Sequence, residues 1–275
     1  IRDSACLVGS EMCIRDSLKC AEALHHLNAD ITVVDLADRI LPSILDVRAG
    51  EIMQKHIEDK GTKFILGTSV EQFSKNSAKL TNGETVDFDI LVIAVGVRPN
   101  TELVSDAGGK VEKGIITDLH QQTTIDNVYA AGDCTVSHDC SSNTDRILAL
   151  LPNAFMQGEV AGKNMAGEET LYLNAIPMNA IGFYGLHIIT AGSYDGDEDI
   201  TEDADKEIYK KLVFKDGLLK GFILMGDVAR AGIYTSMIKE QIPLTEVDLD
   251  LLRDKPQMMM FGKARREEKL AGKKH

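Results

Sequence analysis

An α/β fold is what this sequence predicts, and three observations predict it. Leu18, Ala21, Leu24 and Leu27 make an apolar stripe at helical spacing that runs straight into Asp30-Ile-Thr-Val-Val-Asp35, a strand ending on an acid. Ile90 to Val95 is a continuous apolar run bounded by Asp89 and Gly96, which reads as a strand buried on both faces of a parallel sheet. From Leu171 the texture changes to short strands and hairpin signals followed by one helical stretch, the pattern of a small α+β domain.

The first seventeen residues stand outside that pattern. Ile1-Arg-Asp-Ser4 recurs as Ile14-Arg-Asp-Ser17, and Leu7 to Ser17 reads like a transposon-based sequencing adaptor translated in one frame. Residues 1–17 are therefore expected to be non-native and are left out of the expected fold. The helix from Leu18 then starts with no cap. Helix followed by a strand ending in Asp35 is the back half of a βαβ dinucleotide unit, where such an acid binds ribose hydroxyls. Its charge repels a 2′-phosphate and so favours NADH over NADPH, with Arg39 close enough in sequence to blunt the preference. The front half needs a strand and Gly-x-Gly-x-x-Gly, whose glycines admit a pyrophosphate to a helix N-terminus, and the lone Gly9 does not supply it.

A helix with apolar Ile52, Met53 and Ile57 reaches about Lys60 and stops at Gly61. Thr62 to Leu66 is the next strand, Val70 to Phe73 is extended, and Asn82-Gly83 between alternating residues is a hairpin turn. Gly96 ends the Ile90 run with no Cβ, allowing a sharp turn and close approach of another group. Thr101 to Gly109 is a short helix with a glycine stop. Asn127 to Ala131 is a short strand ending in Gly132-Asp133, and Asp133 at the C-terminal edge of a parallel sheet is placed to accept hydrogen bonds from sugar hydroxyls.

Cys134, His138 and Cys140 follow at irregular loop spacing with no fourth ligand in view, so no metal site is expected. Pro152 to Asn164 is helical, with Ala154, Gly158, Ala161 and Gly162 at a spacing that permits close packing against backbone or a flat ligand. Pro152 suits its first turn, leaving the positive helix end to face an anionic acceptor. Beyond Leu171, Ala180 to Gly192 forms one or two strands, with His187 expected in the core and without a role. Asp195 to Asp205 is a solvated acidic loop, Glu207 to Gly226 a hairpin turning at Lys215-Asp-Gly217, and Ala229 to Glu240 a helix. The tail from Leu251, with three consecutive methionines and a basic end, is expected to be frayed and solvated.

At 275 residues the chain has room for two domains, and a formal charge of −13 argues against a nucleic-acid footprint. No apolar run approaches the roughly 20 residues of a membrane-spanning helix, and no secretory signal is seen, so a cytoplasmic location without membrane contact is expected. Five cysteines make no CxxC pair, which argues against a disulfide framework or a dithiol.

The two segments Phe88 to Asn100 and Thr123 to Cys134, in this order, resemble the second half of the flavin domain of FAD-dependent pyridine nucleotide-disulfide oxidoreductases. The resemblance implies an α/β fold of partial NAD- and FAD-binding Rossmann-like domains with a small C-terminal α+β domain. It divides the chain into 18–88 (NAD), 89–167 (FAD) and 168–275, the last similar to the C-terminal domain of NADH:rubredoxin reductases and of the large chain of NADH-dependent nitrite reductase. It implies that Gly132 and Asp133 grip FAD, that Gly96 closes the junction with the NAD domain, and that Leu151, Pro152 and Ala154 neighbour the flavin at a helix N-terminus. Asp35 then faces NAD(P)H, NADH favoured. The implied activity is electron transfer from NADH through FAD to rubredoxin, a disulfide, a nitrite-reductase centre or oxygen, with a coenzyme A disulfide reductase or NADH oxidase type, or a non-catalytic nucleotide-binding or docking fragment, as alternatives. The N-terminal half of the flavin domain is missing from the pattern, so this polypeptide is expected to be an inactive fragment.

Overall fold

The structure is a computed structural model that describes residues 4–9 and 14–271, the side chain of residue 268 excepted. It forms two compact units: residues 1–98 with Ala180–Ile188 and Asp203–Ile208, and residues 99–179 with 189–202 and 209–275.

The first unit is built on strand β1 (Ser4–Gly9), helix α1 (Ile14–His25), β2 (Asp30–Val34), α2 (Val47–Glu58), β3 (Lys63–Ile65), a meander of β4 (Val70–Phe73), β5 (Ser77–Leu80) and β6 (Thr85–Asp87), and β7 (Ile90–Ala94). The parallel sheet has the order β3-β2-β1-β7. Residues 4–9, excluded from the expected fold, are thus its inner strand. Ala5 to Val8 are apolar and buried, and pairing with β2 and β7 satisfies the strand's backbone on both sides. Residues 1–3 and 10–13 of the excluded segment lie outside the described residues. Helix α1 accordingly begins at Ile14 rather than Leu18, and it buries Ile14, Leu18 and Ala21.

Strand β7 departs from expectation in the opposite sense. Among the described residues it pairs with β1 alone, at the edge of the sheet, and Ile93 is 53% exposed instead of buried on both faces. The meander packs Ala78 and Leu80 against Cys6, Val8 and Val34 of the parallel sheet. Its turn is the one expected at Asn82-Gly83, with Gly83 at φ +92° and its N–H donating to Leu80 O. Asp46 caps α2 by accepting from Ala49 N at 2.9 Å.

The second unit begins with α3 (Glu102–Asp106) and a three-stranded sheet of β8 (Ile115–Ile116), β9 (Thr135–Asp139) and β10 (Thr144–Ile147) in the order β10-β9-β8. The strand expected at 127–131 is absent. Tyr129 makes one isolated bridge to Gln122, and a single rung cannot propagate a ladder. The expected loop after Asp133 is instead the β9–β10 hairpin. Helix α4 (Leu151–Met165) follows. Strands β11 (Met178–Phe183), β12 (Leu186–Gly192), β13 (Asp197–Asp203), β14 (Ile208–Lys215) and β15 (Leu218–Met225) make a further sheet in the order β11-β12-β15-β14-β13, of which residues 180–188, 203 and 208 are counted with the first unit.

The β14–β15 hairpin turns on Asp216 and Gly217, both at positive φ as the Asp-Gly pair demands. Strand β13 replaces the expected acidic loop. It is an edge strand whose charges discourage further pairing, and Asp199 reaches Arg253 at 2.6 Å and Glu198 reaches Lys211 at 2.5 Å. His187 is exposed rather than in the core. Helices α5 (Ala231–Lys239), α6 (Leu249–Arg253) and α7 (Lys263–Leu270) complete the unit. The tail is not frayed up to residue 271: Met260 and Phe261 are buried against Tyr234, Met237 and Leu252, so the methionine run adds apolar volume to that core. No helix among the described residues is long and apolar enough to cross a membrane.

Candidate functional site

A connected polar construction in the second unit surrounds Gly132 and Asp133. Gly132 sits at φ +91°, a conformation that favours glycine, and a Cβ there would lie 3.7 Å from that of Ala154 on α4. Its carbonyl accepts from Thr135 N at 3.0 Å and Thr135 Oγ1 at 2.8 Å, closing a turn. Its N–H donates to Gln157 Oε1 at 2.5 Å, and the same oxygen accepts from Thr135 Oγ1 at 3.0 Å. Gln157 is buried, and its Nε2 donates onward to Ser137 Oγ. One glutamine of α4 therefore fastens both the turn and the start of β9.

Asp133 is the exposed tip of this turn, and its carboxylate makes no hydrogen bond among the described residues. It precedes β9 instead of ending a parallel strand, because residues 127–131 form no ladder. Its charge is therefore free for a ligand's donors.

Helix α4 meets this turn with its first two turns. Leu150 is its N-cap and supplies no side-chain cap, Pro152 has no N–H to satisfy, and the N-terminal residues Leu151, Pro152 and Phe155 are exposed. Asn153, one residue further on, is fully buried: its Nδ2 donates to Ile176 O at 3.0 Å and its Oδ1 accepts from Tyr172 OH at 2.8 Å. Burial pushes the Tyr172 hydroxyl far above its usual range, so it stays a donor. Gly158 and Gly162 face open space, and only Ala161 of the small-residue stripe is buried. The close packing expected of that stripe is absent at the two glycines.

Asp35 and Gly96 belong to the first unit. Gly96, at φ +124°, is exposed beyond the end of β7. Asp35 is 1% exposed at the end of β2, its Oδ1 accepting from Ala37 N at 2.8 Å while its backbone bonds Ile65 O and Thr68 N. A Cβ on Gly9 would lie 2.6 Å from Asp35 Oδ2, so the strand end and the acid approach as closely as glycine allows. In the Gly-x-Gly-x-x-Gly frame that begins at Gly9, the second place is Glu11, outside the described residues, and the third is Ile14, the first residue of α1.

The residues missed in sequence reasoning are Gln157, Asn153, Thr135 and Ser137. The available signal was Asn153 and Gln157, four apart on a helix of otherwise small or apolar buried residues, a spacing that puts two amides on one face. Among the described residues no three His, Cys, Asp or Glu cluster to hold a metal ion.

Comparison with known proteins completes the picture. A family model described as pyridine nucleotide-disulphide oxidoreductase matches residues 17–158, and one described as rubredoxin NAD+ reductase C-terminal domain matches 177–242. The chain is 32% identical over 236 residues to the epsilon subunit of NADH-dependent phenylglyoxylate dehydrogenase from Aromatoleum evansii, covering 82% of this chain and 56% of that protein. It is 29% identical over 240 residues to rubredoxin-NAD(+) reductase from Acinetobacter baylyi, covering 84% and 58%. In fold it is similar to an NAD-dependent persulfide reductase from A. fulgidus, with a TM-score of 0.78 at 24% identity, over 89% of this chain and 50% of that one. The chain thus spans little more than half the length of these relatives.

Proposed function

Because the chain belongs to the pyridine nucleotide-disulphide oxidoreductase family, we propose that it is part of an FAD-dependent NAD(P)H oxidoreductase that draws electrons from NADH and delivers them to an acceptor. The observation that carries this reading is the turn at Gly132: a free, exposed carboxylate on Asp133, held by Gln157 against an uncapped and exposed helix start. These residues fit one half of a flavin cradle. Asp133 would accept hydroxyl hydrogen bonds of the cofactor's sugar-alcohol chain, and the α4 N-terminus at Leu151, Pro152 and Ala154 would meet its ring with the positive end of the helix dipole. When bound, FAD supplies the redox chemistry; the chain contributes placement and field.

The fit to NADH is partial. Asp35 suits a ribose, but Glu11 and Ile14 stand where a pyrophosphate needs glycine. We attribute this to residues 1–17 being foreign to the protein: the repeated Ile-Arg-Asp-Ser ends at Ser17, the residue at which the family match begins. The rubredoxin-reductase match over 177–242 favours a protein acceptor such as rubredoxin over a coenzyme A disulfide.

The test is to recover the natural coding sequence upstream of Leu18 and purify its full product. A yellow protein with flavin bands between about 350 and 500 nm, bleached by NADH, is expected, and Asp133→Ala should release most of the flavin. The 275-residue chain itself should bind FAD weakly or not at all. A colourless full product that ignores NADH would overturn the reading.

A further inference from the structure

Within the first unit, one histidine is held between two groups that only accept hydrogen bonds. His56, on α2 and buried, places Nδ1 2.8 Å from Glu207 Oε1 and Nε2 3.2 Å from the carbonyl oxygen of Tyr184. A carbonyl never donates, and a carboxylate donates only when protonated. A neutral imidazole has one N–H, so beside an ionised Glu207 it would leave one nitrogen lone pair aimed at an acceptor. Both contacts form when the pair carries one proton more, as imidazolium with carboxylate or as imidazole with carboxylic acid.

The anchored groups are fixed by other contacts too. Tyr184 and Glu207 both sit at positive φ, 50° and 52°, in the β11–β12 turn and in the segment before β14. Tyr184 N donates to Glu22 Oε1 of α1 at 2.7 Å, and its hydroxyl lies 3.0 Å from Thr62 Oγ1. Lys19 holds Glu22 at 2.7 Å and also donates to Gly182 O. His25 of α1 stands edge-on to the Tyr184 ring, centroids 5.3 Å apart, and His26 acts on Glu22. On α2, Lys55 pairs with Asp59 at 2.8 Å and also feels Glu58 and Glu207, and Asp59 feels both His56 and Lys60. Asp203 and Lys206, next to Glu207, pair with each other at 2.7 Å.

We propose that His56 and Glu207 form a proton-dependent latch: one shared proton lets α2 hold the β11–β12 turn and the Glu207 segment at once, and loss of that proton frees the turn. Lys19 and Glu22, Lys55 and Asp59, and Asp203 and Lys206 are paired with each other, and His56 is the group in contact with both acceptors. Losing the proton removes one donor while the second acceptor stays in place.

The inference is tested on the 275-residue chain, independently of any cofactor. Amide hydrogen exchange at 183–187 and 205–208, corrected for intrinsic rates, is followed from about pH 5 to 9. Protection there should fall by about tenfold or more as the imidazole loses its proton, on the order of one charge-assisted hydrogen bond. Nitrogen-15 shifts of the His56 ring should show, in the protected state, Nε2 protonated and Nδ1 either protonated or accepting a hydrogen bond. Glu207→Gln is the discriminating variant, because its amide can donate to Nδ1 while Nε2–H still serves Tyr184 O. It should hold the turn at every pH and flatten the profile, whereas His25→Gln should leave the profile as in the parent chain. A flat profile in the parent, an unchanged one in Glu207→Gln, or a flat one in His25→Gln would each overturn the latch.

Discussion

The second unit contains two regions of contrasting finish. In the C-terminal sheet, Phe222 of β15 and Tyr234 of α5 are buried with ring centroids 5.3 Å apart, and Met237, Leu252, Met260 and Phe261 close around them. Tyr234 donates to Leu252 O at 2.8 Å, and burial lifts its hydroxyl to about 12, so the polar tip is satisfied as the ring is buried. The region of α3 and α4 buries Val104 and Val160 but leaves larger apolar groups in solvent: Leu103 is 92% exposed, Leu151 84% and Phe155 72%. The first region is a core closed by its own residues. The second leaves apolar side chains on its surface.

The largest expected effect lies in the closed core. Phe222→Ala should cost about 3–5 kcal/mol, from lost transfer energy plus a cavity that β14 and α5 cannot collapse into. Urea unfolding measures it, and a loss under about 1 kcal/mol would mean that this core is as loosely made as the α4 surface.

Gln157→Ala comes next, because it joins the two regions' styles: a buried, fully used side chain under an exposed turn. Removing it leaves the Gly132 N–H and the Ser137 hydroxyl without the partner Gln157 supplies, while the Thr135 hydroxyl keeps the Gly132 carbonyl. A cost of about 1–3 kcal/mol is expected, with faster amide exchange confined to 132–137. Unchanged exchange at Gly132 would show that the turn stands without the helix.

What was legible in the sequence follows the same divide. Turns written in backbone requirements were readable, since Asn82-Gly83 and Asp216-Gly217 allow few other conformations. Of the apolar stripe read on α1, Leu18 and Ala21 are buried, whereas Leu24 is half-buried and Leu27 lies beyond the helix end, 73% exposed. Strand β13 was hidden because seven residues from Asp197 to Asp203 carry five acids, and basic partners such as Lys211 and Arg253, further along the chain, help make an acidic edge tolerable. The β9–β10 hairpin was hidden for a related reason: Asp139, which accepts from Ser141, Ser142 and Arg146, turns polar residues into structure through contacts that spacing does not reveal. Of the site, Gly132 and Asp133 could be named from the sequence, but Gln157 could not be tied to them. Its partner is a backbone N–H, and a backbone N–H leaves no mark in a side-chain pattern.

The smallest expected effect sharpens the contrast most. Leu151→Ser and Phe155→Ser change residues one helical turn apart that touch little, so the urea midpoint should correspond to a stability within about 0.5 kcal/mol of the parent chain. A large loss would mean that these side chains belong to a core, and the distinction between closed and open regions would vanish. Stability alone does not say what the surface is for, and so the same variants should be read by binding of a fluorescent hydrophobic dye. If Leu151 and Phe155 form an apolar surface awaiting a cover, the double variant should lose dye binding while keeping its fold, whereas Leu249→Ser, also exposed but in the closed C-terminal region, should change neither.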